Sequence, residues 1–217
     1  MSETSVGKKE SPIQYLAISG NIGVGKSSLT DRLAAHYDWE PCFESVENNP
    51  YLSDFYSDMR GWSFHLQIFF LTSRFRAHKQ MLESGIRTVV QDRTIYEDAE
   101  IFARNLNRMG LMNDRDYKNY RTLYEEVIDL LAPPGLLVYL RARVPTLVRQ
   151  IQKRGRPYER SLRIDYLERL NELYEEWIES YPHPKLIIDT DDTDFVSSED
   201  DLGIVLDRID HRIQDLF

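Results

Sequence analysis

Apolar runs and amphipathic stretches alternate along most of the chain. "YLAIS" (15–19), "TVVQD" (88–92), "LLVYL" (136–140) and "KLIID" (185–189) are short apolar runs bounded by polar or chain-breaking residues. Such near-continuous runs predict strands covered on both faces. "EPCFE" (40–44) predicts a further short strand, leading into the loop "SVENNPY". Between the strands the spacing becomes helical. "KSSLTDRLAAHY" puts Leu29, Leu33 and Ala34 on one face. A long helix is predicted from Trp62 to Glu83, closed by Ser84 and Gly85. Helical spacing returns at about 95–108, 114–132, 145–153 and 163–180, and a last helix runs to the C-terminus. Pro133, Pro134 and Gly135 break the chain before the fourth strand.

Five strands alternating with helices predict an α/β fold, a five-stranded parallel sheet flanked by helices. Right-handed crossovers then put the ligand site at the carboxyl ends of the strands. Residues 1–12, polar and ended by Pro12, read as a disordered tail. Residues 13–217 read as one domain, since this length suffices for a single full core.

Composition narrows the setting. A net charge of −9 and a pI near 5.1 argue against broad binding to nucleic acid. No run approaches the ~20 apolar residues of a membrane helix, and the N-terminus lacks the apolar stretch of a secretory signal. Cys42 is the single cysteine, so no internal disulfide forms, which fits a reducing cytoplasm. It reads as a small strand-end residue rather than a nucleophile.

Gly20, Asn21, Ile22, Gly23, Val24, Gly25, Lys26 and Ser27 complete the pattern G-x-x-x-x-G-K-[ST], followed by Ser28, between a predicted strand and a predicted helix. Glycines let backbone N–H groups turn inward around phosphate oxygens, and the helix N-terminus adds its positive dipole end. Lys26 is placed to reach the β and γ phosphates, and Ser27 to ligate Mg²⁺. The pattern predicts a bound nucleoside triphosphate. It does not distinguish a switch, a motor or a kinase.

Further residues narrow that choice. Asp92 ends a predicted buried strand, where a carboxylate can hold or orient Mg²⁺; Arg93 follows directly. A strand-end salt bridge and helix cap is the plainer alternative. From Arg149 to Arg163 there are six basic residues and one acid, Glu159, in an otherwise acidic chain. With Gly155 and Pro157 this predicts an arginine-rich lid at about 153–163, offering Arg154 and Arg156 to phosphates. The chain has no N-K-x-D guanine motif, and its length is short for a motor, so a small-metabolite kinase is the expectation.

Several stretches in order then resemble the deoxynucleoside kinases of the thymidine-kinase-like group, closest to its bacterial deoxyadenosine/deoxyguanosine kinases. They are "GNIGVGKSS", "FESVENNPYL", "WSFHLQIFFLTSRFR", "DRTIYEDAEIFA", "RGRPYERSLRIDYLERL" and "DTDDTDFVSSEDD". The resemblance runs from about Tyr15 to the C-terminus and implies a P-loop kinase fold and a homodimer. It implies transfer of the γ-phosphoryl group of ATP to a deoxynucleoside 5′-hydroxyl. Deoxyadenosine is favoured, then deoxyguanosine or deoxycytidine.

The resemblance also implies roles. Glu44 takes the 5′-hydroxyl proton, and Arg93 steadies that hydroxyl. Tyr56 and Glu159 bind the sugar 3′-hydroxyl. Gln67 reads the base, with Arg74 and Asp98 beside it; Phe102, four residues from Asp98 on the same helical face, is suited to stacking. Asp92 stands where a glutamate is usual, and Gln150 where some relatives carry an arginine at the donor base. Without the resemblance, a polar contact between helices is the better reading of Gln67, Arg74 and Asp98. A nucleoside monophosphate kinase and a non-catalytic nucleotide-binding module are the competing readings.

Overall fold

The structure, a computed structural model, describes residues 13–43, 49–84, 88–156, 159 and 162–216. The expected tail (1–12) and Glu44 lie outside the described residues. Five strands, β1 (Tyr15–Gly20), β2 (Glu40–Cys42), β3 (Val89–Asp92), β4 (Leu136–Arg141) and β5 (Lys185–Asp189), make one sheet in the order β2-β3-β1-β4-β5. Every pairing is parallel. The chain winds one way from β1 to β3 and the other way to β4, so a crevice opens at the carboxyl end of β1.

Alternation along the strands explains why they read as unbroken apolar runs. Leu16 and Ile18 of β1, with Val138 and Leu140 of β4, enter one core; Tyr15 and Ala17, with Leu137 and Tyr139, enter another. The first core is closed by α1 (Lys26–Tyr37), α7 (Val144–Arg154) and α9 (Glu199–Gln214), through Leu29, Leu147 and Val205. The second is closed mainly by α8 (Ile164–Ser180), through Leu170, Tyr174 and Trp177. A third core lies among α2 (Leu52–Ser57), α3 (Met59–Ser84) and α6 (Asp114–Ile128), with Phe55, Leu66 and Tyr120 at its centre.

Several boundaries differ from expectation. The short α2 falls between the expected loop and Trp62, where no element was expected. α3 begins at Met59, three residues before Trp62, because the Asp58 carboxylate accepts the Gly61 N–H at 3.0 Å and caps that turn. The helix expected over 95–108 is α4 (Ile95–Glu97), a π-helical segment (Asp98–Ala103) and α5 (Arg104–Arg108). Such π segments widen the turn and frequently sit at functional sites. α6 stops at Ile128. Among the described residues no helix is long and apolar enough to cross a membrane.

Candidate active site

The phosphate loop grows directly out of β1. Gly20, its first residue, has φ +144°, and a Cβ there would stand 2.6 Å from the Leu140 carbonyl oxygen of β4. Gly25 caps α1 at φ +102°, and a Cβ there would press on the Phe195 ring at 2.9 Å. Both positions combine left-handed backbone with close contact, so only glycine fits. The Lys26 ammonium turns back onto the loop, donating to the Gly20 carbonyl at 2.9 Å and the Asn21 carbonyl at 3.0 Å.

Two cavities meet at this loop. The first, about 370 Å³, is lined by residues 23–28 with Gln150, Arg154, Arg156, Thr193 and Phe195. The second, about 610 Å³, lies between the loop and the α2–α3 layer, with Tyr56, Gln67, Arg93, Asp98, Phe102 and Glu159 in its wall. Gly23, Lys26, Ser27, Arg154 and Arg156 belong to both walls. A group passing from one cavity to the other therefore stays in contact with a lysine and two arginines.

Asp92, at the end of β3, also faces the second cavity. Ser27 Oγ donates to its Oδ2 at 2.5 Å, while Oδ1 is buried with no hydrogen-bond partner among the described residues. An orphaned carboxylate oxygen beside a phosphate-loop hydroxyl fits a divalent ion, held directly or through water. Among the described residues no cluster of three or more His, Cys, Asp or Glu could hold a metal. That donor set suits Mg²⁺, which takes one or two protein oxygens and completes its shell with phosphates and water.

Arg93 follows in left-handed backbone, φ +68°, a strained conformation for a side chain of this size. Its N–H donates to the Ile18 carbonyl at 2.9 Å, and Arg74 Nη1 donates to its carbonyl at 3.3 Å. Its guanidinium lies 4.4 Å from the centre of the Phe102 ring, so one face of Phe102 is already covered. Gln67 is buried in the second cavity's wall, and its Oε1 has no hydrogen-bond partner among the described residues. Asp98 is likewise buried in that wall. Arg74 is not in the wall. It stands behind Asp98, its Nε 2.5 Å from Asp98 Oδ2.

In the segment expected as a lid, Glu159 is 5% exposed and receives Arg154 through both oxygens, at 2.5 and 3.2 Å. Arg156 lies 3.8 Å from the same carboxylate. Of the loop residues, Ile22 lines the second cavity rather than the first. The Asn21 side chain turns to α8, donating to the Leu167 carbonyl at 3.1 Å and to Asn171 Oδ1 at 2.9 Å. Gly20 and Asn21 line neither cavity.

The sequence reading missed much of the wall. Phe43, Leu52, Phe55, Phe70 and Tyr166 all line the second cavity. Burial pushes the Tyr166 phenol up to about 12, with the Arg93 charge pulling the other way, so it stays a neutral donor. Burial also raises the Cys42 thiol, against the pull of Arg74, which fits a structural cysteine.

The chain matches the family described as deoxynucleoside kinase over residues 16–214. It is 37% identical over 203 residues to the deoxyadenosine/deoxycytidine kinase of Bacillus subtilis (strain 168), covering 92% of this chain and 93% of that protein. It is 39% identical over 211 residues to a deoxyguanosine kinase of Lactobacillus acidophilus, covering 93% of this chain and 91% of that protein. The solved structure of M. mycoides deoxyadenosine kinase with bound dATP superimposes with a TM-score of 0.80 at 29% identity, over 91% of this chain and 99% of that one. A parallel sheet with two cavities meeting at a phosphate loop, matched along nearly its whole length by one family, belongs to the deoxynucleoside kinase family, ATP-dependent phosphotransferases that phosphorylate nucleosides.

Proposed function

We propose that the enzyme phosphorylates the 5′-hydroxyl of deoxyadenosine in nucleotide salvage, with deoxyguanosine and deoxycytidine next in preference. The observation that carries this is the buried Gln67 and Asp98 in one cavity wall, with Gln67 Oε1 unpartnered. An amide offers a donor and an acceptor, which suits the amino edge of adenine or cytosine and, flipped, guanine. A carboxylate accepts hydrogen bonds and repels the O4 of thymine. Relatives named for deoxyadenosine, deoxycytidine and deoxyguanosine support the same range.

ATP occupies the first cavity in this reading, and Mg²⁺ held by Ser27 and Asp92 supplies charge neutralisation on its phosphates. Lys26, Arg154 and Arg156, common to both walls, offset charge on the group being transferred. Glu44 accepts the 5′-hydroxyl proton, and Arg93, oriented by its fixed backbone, steadies the hydroxyl oxygen. A carboxylate is a weak base for an alcohol, so positioning does most of the work. Tyr56 and Glu159 bind the sugar 3′-hydroxyl. A homodimer in the cytoplasm completes the reading, with the exposed Leu123 and Leu130 as apolar surface for the contact.

The test is incubation with ATP, Mg²⁺ and a panel of deoxynucleosides and nucleoside monophosphates, followed by chromatography. Deoxyadenosine is expected to be converted fastest. Conversion of monophosphates alone would sink the reading, and nucleotide binding without any turnover would favour a non-catalytic module. Glu44→Gln should lose turnover and keep deoxynucleoside binding; unchanged turnover removes Glu44 as the base. Light scattering after gel filtration reads the dimer.

A further inference from the structure

We propose that Glu97 is a positioning residue that pins the first peptide of the phosphate loop to the acceptor-side helix. Glu97 is fully buried on α4, between Arg93 and Asp98, and lines neither cavity. Its Oε2 accepts the Thr94 N–H at 2.7 Å and the Thr94 hydroxyl at 3.0 Å, the capping box that starts α4. A capping box uses one oxygen. The other, Oε1, accepts the Tyr174 hydroxyl of α8 at 2.8 Å and the Gly20 N–H at 3.4 Å, 77 residues away in either direction.

Gly20 is thus held at its N–H by Glu97, while its carbonyl, in the next peptide unit, receives the Lys26 ammonium. Lys26 is the side chain that donor phosphates attract. Once its ammonium turns to a phosphate, the Gly20 carbonyl loses that donor, and the anchor on the amide side remains. Holding a loop in its binding geometry before the ligand arrives lowers the ordering cost of binding. The residue after Glu97 is Asp98, in the second cavity's wall. One carboxylate therefore sets the phosphate loop in register with the helix that lines the acceptor site. The proposal rests on the reading that the first cavity takes a nucleoside triphosphate.

Glutamine separates this role from simple capping. Its amide oxygen satisfies the Thr94 N–H, as in any capping box. Its NH₂ then faces the Gly20 N–H, donor against donor, and the anchor is lost. In Glu97→Gln, calorimetry is expected to show the Kd of a non-hydrolysable ATP analogue rising about tenfold, the scale of one buried hydrogen bond to a charged group. The deoxynucleoside Kd should move less than about twofold. Tyr174→Phe, which keeps the Gly20 contact, should bind the analogue within about twofold of wild type.

Wild-type analogue affinity in Glu97→Gln overturns the proposal and leaves Glu97 a helix cap. Equal weakening of both ligands also overturns it, as general loosening. Amide exchange in the wild-type protein tests it without any variant. The Gly20 N–H should stay protected when the analogue binds, and fast exchange overturns the anchor. A wild-type chain that binds no analogue overturns the donor reading and the proposal with it, so the two failures are distinguishable.

Discussion

Arg74 Nε stands 2.5 Å from Asp98 Oδ2, and both side chains are at most 5% exposed. The arginine lies behind the acid, so the carboxylate that reaches the second cavity is held in place by a partner outside it. Arg74 also donates to the Arg93 carbonyl. One guanidinium therefore supports both a cavity-wall carboxylate and the strained Arg93 in the same wall.

Arg74→Ala strands a buried carboxylate, and the expected loss of stability is about 3–5 kcal/mol. Urea denaturation reads it. Arg74→Met with Asp98→Leu, which removes both charges, should recover most of that stability while KM for deoxyadenosine stays raised about tenfold or more. Recovery of KM along with stability would take Asp98 out of substrate recognition.

Asp92→Asn keeps a partner for the Ser27 hydroxyl and removes the charge from the orphaned Oδ1. The Mg²⁺ concentration for half-maximal rate is expected to rise about 10- to 100-fold. Deoxynucleoside binding, read by calorimetry, should be unchanged. An unaltered Mg²⁺ dependence would exclude Asp92 from the ion's shell.

Glu159 holds Arg154 through two hydrogen bonds and lines the second cavity with Tyr56. If the pair binds the sugar, a 3′-deoxy substrate should cost the wild-type enzyme about tenfold in kcat/KM. In Tyr56→Phe with Glu159→Gln, that preference should vanish. Retained discrimination would assign the sugar contact elsewhere.

His78 packs edge-on against Tyr15, ring centroids 5.0 Å apart, and its Nε2 has no hydrogen-bond partner among the described residues. Burial pulls its pKa below the usual histidine value, with the Ala132 backbone pulling the other way. The unfolded chain then takes up this proton near pH 6.5 and the folded chain only at lower pH. The His78 contribution to stability is full above about pH 6.5 and falls as the solution is acidified. His78→Phe should flatten that part of the Tm–pH curve, and an identical slope would exclude His78 from the acid response.

The strands were legible because both faces of each inner strand are covered, which leaves the plainest signal a sequence can carry. The phosphate loop was legible because its residues are contiguous and its glycines have no substitute. α2 was not, since six residues beside Asn49 and Pro50 hold too little periodicity. The π segment was invisible because Asp98 and Phe102 at a four-residue spacing suit an ordinary helix equally well. Nothing in the sequence singled out Tyr166, Phe55 or Glu97; only the folded chain shows the first two bordering a cavity and the third reaching back to the loop. The resemblance put Gln67, Arg74 and Asp98 near one another. It could not show that Arg74 stands behind Asp98.

The sheet order has a consequence for biosynthesis. The Gly20 backbone is shaped against Leu140 of β4, and the Ser27 hydroxyl is held by Asp92 of β3. The phosphate loop leaves the ribosome early, yet Asp92 follows 65 residues after Ser27 and Leu140 follows 120 residues after Gly20. A nascent or truncated chain ending before β4 carries the full nucleotide-binding signature without its shape. Nucleotide capture at this loop is therefore expected to require β4 in place, and a chain ending before it is expected not to bind ATP.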